Sequence, residues 1–372
     1  MNTASDTSSK IGALAGLRVV DVSRILGGPY CGQILGDHGA EVIKVEPPQG
    51  DDTREWGPPF KDGVAGYYLG LNRNKTGMRL DFTTQAGRDV LMGLLEGADV
   101  LIENVKTGTM EKWGMSYEVL SKRLPRLVYC RVSGFGADGP LGGLAGYDAA
   151  AQALGGIMRV NGEAGGTPLR VGLPVVDMVT GLNAALGIMM ALHERESSGQ
   201  GQFVESTLYD SAVSLLHPHA ANWFLNGKRP VLTGNAHPNI YPYDAFPSAT
   251  VPIFMAVGND RQFALMSKHL GVAWHEDARF TSAGGRSTNR AELRPLMEAA
   301  LASHDGAKLA EDLMQIGVPC APILSVDQTL QHPHTAHRGM LVEIGEDYRG
   351  IGSPIKLSRT PATYRKAPPA KG

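Results

Sequence analysis

Only three of the 372 residues are cysteine, Cys31, Cys130 and Cys320, and no two of them form a C-x-x-C pair. That scarcity excludes a disulfide framework and a zinc-ribbon pattern, and it fits a reducing, cytoplasmic setting. A surplus of charge is missing too. Thirty-five basic against 37 acidic side chains leave a net of -2, so no global basic field draws the chain to nucleic acid or to an anionic membrane. The first ten residues are polar and lack an apolar stretch, so no secretory signal is expected. One apolar run, residues 171–192, invites a membrane reading. Asp177, Asn183 and Pro174 interrupt it, and a buried helix is expected instead. The sequence also lacks internal repeats, low-complexity tracts, a G-x-S-x-G elbow, a P-loop and an H-E-x-x-H pair.

Glycine, by contrast, is abundant. Its 47 residues are nearly twice the usual share, and they are not periodic, so they belong to turns, close backbone approaches or ligand loops. Those at 27–28, 134–143, 155–156, 162–166, 172 and 181 are expected on the ligand side.

The first half alternates between strand-like and helix-like segments. Residues 17–22, 41–46, 99–103 and 127–132 read as strands, and 85–96 and 117–123 as helices. A helix is expected to begin near Pro29 and run toward His38. A long helix should start at Asp177 or Met178 and end near Glu196, before the Ser197-Ser198-Gly199-Gln200-Gly201 turn. Residues 203–207 read as a strand and 210–225 as a further helix. This pattern predicts an α/β fold with a Rossmann-like, doubly wound and mostly parallel sheet. Beyond residue 240, a strand-like 247–257 and helices at 262–270, 290–302 and 307–316 suggest a smaller α+β domain. The boundaries expected are 1–225 for the first part of the large domain, 226–239 for a linker, 240–325 for the small domain, and 326–372 for a return to the large one.

Several motifs are weaker than they look. Gly134-Phe135-Gly136-Ala137-Asp138-Gly139 matches G-x-G-x-x-G after a strand, but Pro140, Gly142 and Gly143 follow and no helix opens, so a tight turn is the reading. His332 and His334 flank Pro333 with His337 nearby, and His217 and His219 flank Pro218, all without a further ligand pattern; solvated loops are expected and no metal site. Asp177 is more informative. It reads as an N-cap, and a carboxylate there would be held ionised by the free N–H groups, available as a nucleophile, with Gly181 one turn on leaving room for a substrate. Lys106 and Lys112 follow a strand, where open parallel sheets bind ligands.

Taken together, these segments resemble the class III CoA-transferase family of the CaiB/BaiF type, which includes formyl-CoA transferase, the carnitine CoA-transferases and α-methylacyl-CoA racemase. The matching pieces are Gly16-Leu17-Arg18-Val19-Val20-Asp21 with Ser23 to Pro29, Gly39-Ala40-Glu41-Val42-Ile43-Lys44-Val45-Glu46, Asn72-Arg73-Asn74-Lys75, Glu103-Asn104, Ser133-Gly134-Phe135-Gly136, Gly146-Tyr147-Asp148, and Asp177. The stretch from Gly50 to Phe60, with Gly234-Asn235-Ala236-His237 and Tyr241-Pro242-Tyr243, is most similar to the succinyl-CoA–glutarate (hydroxymethylglutarate) subgroup.

The resemblance implies CoA exchange between an acyl-CoA and a free carboxylic acid, with Asp177 as catalytic residue, coenzyme A as co-substrate and no metal. It further implies that Arg24, Ile25, Leu26, Gly27, Leu80, Asp81, Thr83, Asn104, Val105, Lys106, Lys112, Ala145, Gly146 and Tyr147 line the CoA site. A distal carboxylate on the acid would need a cation, for which Arg54, Arg73 and Arg170 are candidates, with His237 beside them. An interlocked homodimer of ring-shaped chains is the assembly implied. Two alternatives stand beside this reading: a racemase-type epimerase, against which Tyr147 replaces the needed histidine, and a CoA-binding protein without catalysis.

Overall fold

The computed structural model describes residues 12–346 and 348–370. Six strands form one parallel sheet: β1 (Arg18–Asp21), β2 (Glu41–Glu46), β3 (Lys75–Arg79), β4 (Val100–Glu103), β5 (Val128–Ser133) and β6 (Phe203–Thr207). Their spatial order is β3-β2-β1-β4-β5-β6, which reverses direction between β1 and β4. A doubly wound sheet opens a crevice at that reversal, outside the carboxyl ends of the two strands.

The four central strands carry apolar residues on both faces because helices cover both. Val19, Val42, Val100, Ile102 and Val128 pack on one side with α1 (Gly27–Asp37) and α5 (Val175–Ser198), through Cys31, Leu35, Ala184, Ile188 and Ala191. On the other side Val20, Val45, Leu101 and Tyr129 meet Leu91 and Leu95 of α2 (Gln85–Leu95) and Leu120 of α3 (Tyr117–Arg123). Continuous burial of this kind is what makes parallel strands read as unbroken apolar runs. Helix α5 is long and apolar enough to cross a bilayer by length and composition alone; half of its most apolar window is buried within the protein.

Strand β3 was not expected from the sequence. Lys-Thr-Gly-Met-Arg lacks the apolar run of its neighbours because it lies at the sheet edge, where charge is tolerated. The C-terminal segment runs beside it: Asn74 N–H donates to the Lys366 carbonyl at 2.8 Å, and a Cβ at Gly77 would stand 2.7 Å from Pro369.

The chain divides into two compact units. The first comprises Met1–Ile157, Val171–Leu216 and Pro333–Gly372, and the second Met158–Arg170 and His217–His332. The second unit therefore claims 217–239, read from sequence as helix end and linker, and a short excursion at 158–170. The helix expected at 210–225 is two helices, α6 (Leu208–Ser214) and α7 (His219–Asn226), broken before Pro218, whose ring removes a helical N–H. Within the second unit an antiparallel sheet of β7 (Tyr243–Phe246), β8 (Ile253–Ala256) and β9 (Cys320–Pro322) packs against α8 (Asp260–His269), α9 (Arg290–Leu301) and α10 (Gly306–Gln315).

Candidate active site

A cavity of about 270 Å³ lies at the strand-order reversal of the first unit. The turn after β1 supplies Arg24, Ile25, Leu26 and Gly27, and the turn after β4 supplies Asn104, Val105 and Lys106. These turns are clamped to each other: Arg24 N–H donates to Asn104 Oδ1 at 2.8 Å, and Asn104 Nδ2 donates to the Arg24 carbonyl at 2.6 Å. Ala145, Gly146 and Tyr147 complete another wall with Ser133 and Gly134, and Asp177 lies on the cavity surface. Gly134 and Gly146 are glycine because their backbones meet; a Cβ on Gly134 would stand 2.8 Å from the Gly146 nitrogen.

Asp177 is not an N-cap. Helix α5 begins two residues earlier, at Val175, with Pro174 in the cap position and no side chain there to satisfy the first N–H groups. Asp148 does that from another helix, α4 (Asp148–Leu154): its Oδ1 accepts from Val176 N–H at 2.8 Å and from Asp177 N–H at 3.1 Å. Gln152 then donates to Asp148 Oδ2 at 2.6 Å. Exposed helix-terminal N–H groups would have kept Asp177 ionised; here they serve Asp148 instead.

The result reverses the expected electrostatics. Burial, and next the Asp148 charge, push the Asp177 carboxyl up to about 7. A carboxylate in a water-poor setting beside a like charge is more basic and more nucleophilic than one in water. Tyr67, in the short helix Gly66–Leu69, is raised to about 12 by burial, then by Asp177, Asp148 and Asp51, so its hydroxyl keeps its proton at neutral pH. Arg24 and Lys106 are the cations on the cavity surface; Arg24 Nη1 stands 3.1 Å from Asp52 Oδ2, a half-exposed pair. Local sequence patterns give Asp148 no role. Its partners lie 28 and 29 positions downstream, beyond any local rule.

Gly181, Gly28, Arg54 and Arg73 are used otherwise than expected. Gly181 leaves room for a helix, not for a substrate: a Cβ there would lie 2.6 Å from the Gly27 carbonyl of α1. Gly28 is likewise packed on the Ser23 side chain. Arg54 is buried away from the cavity, with Nε on Glu46 Oε2 at 2.8 Å, Nη2 on Glu46 Oε1 and Tyr68 Oη, and Nη1 on the Pro369 carbonyl. Arg73 is similarly committed to Asp37 and the Ile351 carbonyl. His237 belongs to the second unit, as does Arg170; its Nδ1 accepts from Asn239 and Ile240 N–H groups, and its ring meets Tyr243 at 5.1 Å.

Leu80, Asp81, Thr83 and Lys112 do not line the cavity. Asp81 Oδ1 accepts from Thr83 N–H and Oγ1, a turn that leads into α2, and Lys112 ends the short helix Thr109–Lys112. Among the described residues no cluster of three or more metal-ligating side chains forms.

Because the folded carboxyl of Asp177 holds its proton more tightly than an unfolded one, its ionisation opposes folding as pH rises from about 4 toward 7. Above 7 the full effect is present, up to about 4 kcal/mol. Asp177→Asn should therefore raise the urea-unfolding free energy at pH 8 and much less at pH 5. Equal gains at both values would show that the carboxyl is not perturbed.

Comparisons with known proteins agree along the length of the chain. The sequence model of "CoA-transferase family III" matches residues 14–372. The chain is 36% identical to the succinate–glutarate CoA-transferase of Agrobacterium fabrum, with 99% of this chain and 95% of that relative covered. It is 37% identical to the succinyl-CoA:mesaconate CoA-transferase of Haloarcula hispanica, over 96% of this chain and 93% of the relative. Among solved structures, a CaiB/BaiF family protein from Brucella suis superposes with a TM-score of 0.87 at 40% identity, covering 97% of this chain and 96% of the other.

Proposed function

The chain belongs to CoA-transferase family III, and from that membership we propose that it moves CoA from succinyl-CoA or a similar acyl-CoA to a free dicarboxylic acid through Asp177. The observation that carries this reading is the perturbed carboxylate of Asp177 on the surface of a cavity walled by Arg24, Asn104 and Lys106.

An Asp177 carboxylate oxygen attacks the thioester carbonyl, the C–S bond breaks, and CoA leaves as the thiolate. An aspartyl–acyl anhydride remains. The thiolate attacks the aspartyl carbonyl and expels the donor acid as its carboxylate, leaving an aspartyl-CoA thioester. The acceptor carboxylate attacks that carbonyl and releases the thiolate, which then takes the acceptor acyl group from the second anhydride and restores Asp177. No proton is gained or lost over the cycle. Covalent catalysis of this type divides one difficult exchange into feasible steps. Alignment supplies much of the rate, since holding the reacting atoms in line is worth about 7–11 kcal/mol. Arg24 and Lys106 would face the anionic groups of CoA or of the acid.

Epimerisation is disfavoured by Tyr147, 60% exposed on the cavity wall where a proton-transferring imidazole would be required. Homodimerisation, in the interlocked form, is part of the proposal. Leu182, Leu186, Met189 and Met190 recur at helical spacing on α5 and remain exposed, an apolar stripe that a second copy would cover. A monomer by sedimentation at micromolar concentration would exclude it. The three buried free thiols, Cys31, Cys130 and Cys320, support a reducing cytoplasmic setting.

Incubation with succinyl-CoA and hydroxylamine should place a hydroxamate on Asp177, read by peptide mass. Asp177→Ala should lower CoA exchange into glutarate or mesaconate by about 10³-fold or more. An unmodified Asp177, together with no exchange into any dicarboxylate, would overturn the assignment. The rate at limiting acyl-CoA should fall about tenfold per pH unit below pH 7, as the nucleophile takes up its proton. A flat profile down to pH 5 would assign the nucleophile to another group.

A further inference from the structure

The wall of the cavity at Arg24–Ile25 has an unusual backbone. Ile25 adopts φ +74°, and the two other non-glycine residues with positive φ are Asp62 and Asn74, among the described residues. Asparagine and aspartate tolerate this region; a β-branched side chain does not, and persists there only when its surroundings over-determine it.

Those surroundings are side chains from other segments. Ile25 N–H donates to Asp51 Oδ1 at 3.3 Å. Asp51 Oδ2 receives Lys44 Nζ at 3.0 Å, and the same ammonium donates to the Ser23 carbonyl on the other side of the turn. Both side chains of the pair are fully buried. Thr53 donates to Asp51 Oδ1 through N–H at 3.1 Å and Oγ1 at 2.8 Å, fixing the carboxylate's orientation. Asp51 N–H in turn rests on Glu46 Oε2 at 2.9 Å. The ring Ser23 carbonyl, Lys44, Asp51, Ile25 N–H encloses Arg24, whose own N–H and carbonyl are held by Asn104.

We propose that the buried Lys44–Asp51 pair is a positioning device for the CoA site, holding Ile25 in the left-handed conformation that presents the Arg24–Gly27 wall to the ligand. Neither residue touches the cavity. The pair acts through the backbone of the turn, which explains why a lysine and an aspartate are buried so near a site without entering it. A buried ion pair is a poor source of stability and a good source of a fixed geometry. The proposal takes CoA as the ligand and so rests on the functional reading above, but it does not need turnover to be tested.

A double-mutant cycle in the full chain tests it, with CoA itself as the probe and calorimetric Kd as the readout. Asp51→Asn in the wild-type background should weaken CoA binding by about tenfold, because the turn relaxes toward extended backbone. Glycine takes a positive φ freely, so in the Ile25→Gly background the same Asp51→Asn change should weaken binding no more than about twofold. Should Asp51→Asn fail to fold, Lys44→Gln breaks the same pair and completes the same cycle. Equal losses in the two backgrounds, or no loss in either, would overturn the positioning role. CoA binding that follows the expected cycle in a protein without CoA exchange would instead overturn only the catalytic reading. In an active enzyme, Asp51→Asn should raise KM for the acyl-CoA more than it lowers kcat.

Discussion

The carboxylate of Asp148 takes the first N–H groups of a helix to which it does not belong, and the candidate site depends on that bond. Helix α5 starts at Val175 behind a proline, so its opening turn has no side-chain cap of its own. Asp148 closes it, and Gln152 closes Asp148. Two consequences follow from one contact. The turn bearing Asp177 is fixed against α4, and a second negative charge is installed beside the nucleophile. A cap within α5 would have fixed the turn as well, but its charge would have stood elsewhere.

Behind the cavity wall the first unit buries several charges. Asp21 and Lys75 pair at 2.9 Å, Lys44 and Asp51 at 3.0 Å, and Glu46 and Arg54 at 2.8 Å, all of them almost wholly inaccessible. Burial alone would raise Asp21 and Asp51; the lysines and the Ser23 and Thr53 hydroxyls outweigh it and hold both carboxyls below their usual value. Such pairs gain little over well-packed apolar side chains, while removal of one partner leaves an uncompensated charge. What they contribute is direction. Lys75 Nζ also ties the Pro29 carbonyl of α1, and Lys44 the Ser23 carbonyl, so both sides of the glycine-rich entry to α1 are fixed.

Much of the fold was legible because parallel strands covered on both faces write themselves as apolar runs. The four central strands have that signature. The other two lie at the sheet edges: β6 keeps Phe203 and Val204 ahead of Glu205 and is legible from them, whereas β3 carries Lys75, Gly77 and Arg79, so its period was invisible. The Gly134–Gly139 motif was rightly read as a turn: Gly136 has φ +81°, and no helix opens until Asp148. Glycine was a less faithful guide. Gly27, Gly134, Gly143 and Gly146 reach the cavity, whereas Gly28 and Gly181 are small so that Ser23 and α1 can pack against them. Arginine was less faithful still, since Arg54 and Arg73 hold internal carboxylates instead of facing a substrate.

The sequence by itself determined the alternation of strand and helix, the turns at strand ends that become the cavity wall, and the identity of Asp177 as the carboxylate to examine. Each of these is local, set by periodicity, by turn residues or by the order of motifs along the chain. Tertiary structure alone decided that Asp177 sits in the first turn of α5, near pH 7 in its ionisation, and that Lys44 and Asp51 hold Ile25 where an isoleucine does not ordinarily rest. The reason is physical. A carboxyl's proton affinity and a turn's conformation are set by the charges and hydrogen bonds within a few ångströms, and here those come from Asp148 and Asp51, which lie 29 and 26 residues away along the chain.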